Sequence, residues 1–105
     1  MNEEQMYELL ADQVLLMAKR SEEADNKDLV KMTICMVRVL ESHFVCKEKE
    51  KRALEKQLLL LSKRSQEADC EDLSSLSYAM GLIVRRLAKS YFNHCGIEFL
   101  KLGVH

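Results

Sequence analysis

The 105-residue chain has no proline and no tryptophan, and its three glycines all fall at position 81 or later. Strand-rich folds take their corners from clusters of Gly, Pro, Asn and Asp, so an all-β or α/β architecture is left without its turns. Aromatic residues make up only 6% of the chain, too few to dominate a core. An excess of one charge is missing as well: 16 basic residues stand against 17 acidic ones. The near balance argues against disorder driven by self-repulsion and against gross affinity for polyanions. Fully apolar stretches are short runs such as Leu58 to Leu61, against the roughly 20 residues a membrane span needs. No basic-then-apolar leader opens the chain. The expectation is a cytoplasmic protein with no membrane partner.

What is present is 48% hydrophobic and 31% charged residues, enough to bury one core at a length that suits one domain. The class is all-α. Cys35, Cys46, Cys70 and Cys95 are loosely spaced and read as free thiols in a reducing compartment. Cys35, on the flank of an apolar stripe, is expected to be buried as a small hydrophobe.

An internal repeat carries most of the information. Gln13 to Met36 aligns without a gap on Gln57 to Met80, and half of the aligned positions are identical, including KRS-x-EAD, Asp28/Asp72 and Leu29/Leu73. The repeats extend over 10–46 and 54–95. Beyond Met80 the offset grows from 44 to 48 residues, about one helical turn. Each repeat holds two runs of apolar residues at helical spacing. The first repeat gives Met6, Leu10, Val14, Met17, Ser21 and Ala24, then Leu29, Met32, Met36, Val39, Leu40 and His43. The second gives Leu54, Leu58, Leu61, Ser65 and Ala68, then Leu73, Leu76, Met80, Ile83, Leu87 and Tyr91. Each repeat is therefore a helical hairpin.

Within each hairpin, EAD-x-x-D supplies the turn. Asp25 or Asn26, and likewise Asp69, can accept from the unpaired amides of the next helix, with Asp28 and Asp72 in its positive first turn. Between the hairpins lies Cys46 to Arg52, CKEKEKR, which interrupts the apolar stripe. Such a run reads either as a loop, giving a four-helix bundle, or as a bridge in one continuous helix, giving an elongated protomer that dimerises. The bundle is the favoured fold.

Apolar residues exceed what one core-facing stripe needs. Leu9, Leu15 and Leu16 lie off the stripe of the first helix, as do Ile34, Val37 and Phe44 on the second, Leu59 and Leu60 on the third, and Tyr78, Leu82 and Phe92 on the fourth. Outward leucines and aromatics that accumulate in this way mark an oligomer or partner surface. Leu9, Leu16, Leu60, Leu82 and Phe92 are the candidate partner-binding residues. In the tail, 96–105, Gly96 suits a helix end, and Ile97, Phe99, Leu100, Leu102 and Val104 either close the bundle or dock elsewhere.

Chemistry-bearing constellations are sparse. His43, Cys46, His94 and Cys95 fall at corresponding places in the two repeats and are all metal-ligand types, but the two tight pairs of a zinc site are missing. No Gly-rich phosphate loop, nucleophile elbow or HExxH motif is present, so neither catalysis nor a cofactor is expected. Arg85, Arg86 and Lys89 form a basic cluster, while eight acidic residues face three basic ones over the first 28 positions. In form, paired hairpins resemble the Rop family of small plasmid RNA-binding proteins, which implies nucleic-acid binding as the alternative. The leading expectation is a non-enzymatic protein-interaction module, an adaptor or inhibitor that probes a protein partner with apolar helix faces and self-associates.

Overall fold

The structure is a computed structural model, which describes residues 1–41 and 46–95, with side chains up to Lys89. It contains four helices: α1 Glu3–Ser21, α2 Asn26–Glu41, α3 Glu48–Ser65 and α4 Cys70–Cys95. Described residues include no strand. The chain is an all-α four-helix bundle built from two hairpins, α1–α2 and α3–α4.

Local chemistry sets the helix ends. Asn2 Oδ1 accepts from the Gln5 amide at 2.8 Å, and the Gln5 side chain accepts from the Asn2 amide at 3.0 Å, a reciprocal cap on α1. In the turns, Asp25 Oδ1 accepts from the Asp28 amide and Asp69 Oδ1 from the Asp72 amide, both at 2.8 Å. Each such cap stabilises its helix by about 1 kcal/mol. Turn backbone bonds repeat at the same offset: Glu23 to Arg20 and Ala24 to Ser21 in the first hairpin, Glu67 to Arg64 and Ala68 to Ser65 in the second. The EAD turns are thus the same structure built twice.

The two turns lie at one end of the bundle. Arg64 donates from Nη2 to the Glu22 carbonyl and from Nη1 to Asn26 Oδ1, both at 3.1 Å, and Asn26 Nδ2 donates to Asp72 Oδ2 at 3.2 Å. With the turns together, α1 runs parallel to α3 and α2 parallel to α4. Packing follows from that: α1 touches α2 and α3, α4 touches α2 and α3, and α2 meets α3 across the diagonal. Among the described residues α1 and α4 do not meet. One layer therefore holds α1 beside α3 and the other α2 beside α4, and the molecule is 16 Å through its thinnest direction, the depth of two packed helices.

The joint between hairpins departs from both expectations for CKEKEKR. Cys46 and Lys47 are non-helical, Lys47 is extended, and Glu48 to Arg52 already form the first turns of α3. The two hairpins are separate, which removes the elongated protomer. The charged run survives inside a helix because Glu48 pairs with Arg52 one turn on, at 3.5 Å and well exposed, while Glu50 alone turns inward.

The core comprises Val14 from α1, Leu29, Met36, Val37 and Leu40 from α2, Ala53, Leu54 and Leu61 from α3, and Leu76, Ala79 and Ile83 from α4, closed by Cys46. Across its centre runs one polar chain. Gln57 Nε2 donates to Ser21 Oγ at 2.8 Å and to Thr33 Oγ1 at 2.9 Å, and those hydroxyls donate to the Met17 and Leu29 carbonyls. Three helices are tied at a point where no water is needed to satisfy the donors.

Several stripe assignments are corrected. Met6 and Leu73, expected inside, are exposed, and Val37, expected as surplus, is in the core. Cys35 is exposed where burial was expected, while Cys46 is buried. These errors share a physical origin, which lies in how the hairpins stack.

Candidate protein-interaction surfaces

At several positions, equivalent residues in the two hairpins differ in exposure. On α3 the inward residues include Glu50, Ala53 and Gln57, with Leu60 half-buried; one repeat earlier these are Met6, Leu9, Gln13 and Leu16, all exposed. The reverse holds for Leu15 and Ile34, half-buried in hairpin one, whose counterparts Leu59 and Tyr78 are 70% and 62% exposed. The α2 and α4 pair follows the same rule: Leu29 is in the core and Leu73 exposed, Cys35 exposed and Ala79 in the core.

Geometry accounts for the pattern. Successive residues sit about 100° apart round a helix, so the buried arc of α3 is rotated from that of α1 by about a quarter of the circumference. Hairpin one is covered on the side facing hairpin two, and hairpin two on the opposite side of its own repeat. Hairpin one thus presents an uncovered leading face, with Met6, Leu9, Gln13, Leu16 and Arg20 on α1 and Cys35 on α2. Hairpin two presents a trailing face on which Leu59 of α3 and Tyr78 of α4 are exposed and Ser62 of α3 is half-buried.

The candidate residues distribute unevenly over these faces. Leu9 and Leu16 lie on the leading face, 53% and 42% exposed. Leu60 and Leu82 are half-buried and packed against the core, and Leu60 also lines the cleft between α1 and α3. The side chain of Phe92 and the tail 96–105 lie outside the described residues. Sequence reasoning missed Met6 as a surface residue; its counterpart Glu50 is an acidic residue inside the bundle, and that mismatch was the available signal.

Between α1 and α3 runs a cleft of about 310 Å³ lined by Leu15, Ala18 and Leu60, with Lys19, Arg52 and Lys56 at its lip. Towards the N-termini of α1 and α3 it continues past Glu4, Glu8 and Asp12. There the Tyr7 hydroxyl donates to Glu3 at 3.0 Å, and that carboxylate holds the phenol above its usual range. The basic cluster expected at Arg85, Arg86 and Lys89 is dispersed: Arg86 is buried, and Arg85 sits 3.8 Å from Glu41.

Cys46 is buried at the start of the second hairpin, whereas Cys35 and Cys70 are exposed. Burial pushes the Cys46 pKa up, opposed by Arg86 and Lys51 and reinforced by Glu50. A raised pKa and burial both depress thiolate chemistry. Alkylation of the native protein is therefore expected to modify Cys35 and Cys70 quickly and Cys46 about tenfold more slowly. Peptide mass spectrometry over a time course reads the three sites separately, and equal rates would place Cys46 at the surface. His43, and the side chains of His94 and Cys95, lie outside the described residues. Among described residues no group of three or more His, Cys, Asp or Glu can hold a metal ion, and no helix is long and apolar enough to cross a membrane.

No protein-family model, curated protein or solved structure matches the chain.

Proposed function

We propose that the protein is a non-enzymatic interaction module, an adaptor or inhibitor that self-associates and engages protein through the apolar leading face of hairpin one. One observation carries this reading. Positions that hairpin two buries or half-buries as Glu50, Ala53 and Leu60 recur in hairpin one as Met6, Leu9 and Leu16, and there they face solvent. Exposed apolar residues that share one helix face are costly to leave wet and are commonly kept for association. Exposed thiols at Cys35 and Cys70 suit a reducing cytosol as the site of action.

The test is the double substitution Leu9→Glu/Leu16→Glu. Because both residues are exposed, helical content and the unfolding midpoint are expected to stay within a few degrees of wild type. Association, read by sedimentation velocity across a concentration series, is expected to disappear. A variant that loses its helix would show that these leucines belong to the core, and one that associates as wild type would remove the leading face from the interaction.

A further inference from the structure

The proposed interaction face has a specific geometry, and the inference drawn from it rests on that reading. Inside the chain, hairpin one meets hairpin two through unlike surfaces. Leu15 and Ala18 of α1 share a cleft with Ala53, Gln57 and Leu60 of α3, and α2, where Ile34 is half-buried, packs on α4, where Ala79 is buried. Parallel equivalent helices in contact, with α1 and α4 apart, are the mark of stacking by translation. A two-fold axis would instead pair like surfaces. Translation consumes one copy of each surface and leaves the other copy open at each end of the stack.

We infer that the leading face receives the trailing face of a second copy of this chain, head to tail, by the contact already formed between hairpins one and two. The trailing face reproduces what hairpin one applies to hairpin two: Leu59 stands for Leu15, Ser62 for Ala18 and Tyr78 for Ile34. Leu59 and Tyr78 are also among the most exposed large apolar residues described. The polar anchor recurs in its main-chain half only, because Asn26, which links Arg64 to Asp72 within the chain, has Cys70 as its repeat counterpart. Arg64 donates to the main-chain carbonyl of Glu22; its repeat counterpart on the leading face is Arg20, and the counterpart of the acceptor is the carbonyl of Gln66. A main-chain acceptor needs no particular side chain, and the turn around Gln66 repeats the Glu23–Arg20, Ala24–Ser21 and Leu29–Asp25 backbone bonds of the turn around Glu22 as Glu67–Arg64, Ala68–Ser65 and Leu73–Asp69. Glu55 stands where hairpin one has Ala11, so the contact between copies is weaker than the one within the chain. Association is reversible and rises with concentration. Unlike-surface contacts either close into a ring or extend as a stack, and stacked helical hairpins extend their core in this manner.

Two variants and their mixture test the inference. Leu16→Glu disables the leading face, and Leu59→Glu/Tyr78→Glu disables the trailing face. Light scattering is expected to give a wild-type mass that climbs past two chains with concentration, and one chain for either variant alone. An equimolar mixture is expected to give two chains and no more, because one leading and one trailing face remain intact. A Leu59→Glu/Tyr78→Glu protein that still dimerises overturns the head-to-tail contact in favour of symmetric pairing of leading faces, and leaves the interaction module standing. Wild type that stays at one chain throughout overturns the inference as well. Circular dichroism of each variant checks folding, and Leu16→Ser with Leu59→Ser/Tyr78→Ser replaces any glutamate variant that unfolds.

Discussion

Glutamate at Ala79 is expected to unfold the protein, while glutamate at Cys35, the same position one repeat earlier, is expected to leave it intact. Ala79 is fully buried on α4, and its counterpart Cys35 on α2 is exposed. The larger side chain must displace close-packed neighbours, and its carboxylate must enter an interior without a partner provided for it. Overpacking costs about 1–3 kcal/mol, and burying an unpaired polar group adds several more, or forces the carboxyl to protonate. Together these approach the whole of a small domain's stability, about 5–15 kcal/mol. At Cys35 the side chain points to water, and the change is expected to stay within about 0.5 kcal/mol. Urea unfolding followed by circular dichroism at 222 nm compares the two variants directly. Equal tolerance would mean that the hairpins bury the same arc of their helices, and the translational stack would be wrong.

The class, the hairpins, the turns and the duplication were all legible in the sequence because each rests on local chemistry. Helical spacing of apolar residues needs no knowledge of neighbours, and the Asp25 and Asp69 caps act within three residues. Which arc of each helix is buried was not legible in the same way. Two helices of nearly equal sequence carry the same apolar pattern, yet one is covered on its leading side and the other on its trailing side. Treating the repeats as equivalent placed Met6 and Leu73 inside, and Leu60 and Leu82 outside, although burial reverses the first two and half-buries the second two. Of the candidate surface residues, Leu9 and Leu16 are exposed, whereas Leu60 and Leu82 are half-buried against the core. Substitutions between the repeats held the missing information. Where α1 has Met6 and Leu9, α3 has Glu50 and Ala53, and a shrinkage from leucine to alanine is what close approach of a neighbouring helix requires.

The same asymmetry predicts the fate of two glutamines that share a repeat position. Gln57 is 1% exposed and supplies both amide hydrogens to Ser21 and Thr33, whereas Gln13 is exposed. Gln57→Ala removes two buried hydrogen bonds and leaves a cavity among α1, α2 and α3. At about 1 kcal/mol per bond plus the cavity term, the cost is about 3 kcal/mol, or a fall in Tm of roughly 15 °C for a domain of this size. Gln13→Ala replaces an exposed glutamine with a better helix former and is expected to shift Tm by no more than a few degrees. A third variant separates packing from polarity. Gln57→Leu refills the volume, and the Ser21 and Thr33 hydroxyls keep the Met17 and Leu29 carbonyls as acceptors, so most of the lost stability is expected to return. If it returns in full, the glutamine adds little net energy, and its role is to fix which arc of α3 faces inward, since any other rotation strands a buried amide. Calorimetry of the three variants decides the matter, and a Gln57→Ala protein as stable as Gln13→Ala would place Gln57 at the surface and undo the assignment of the two faces.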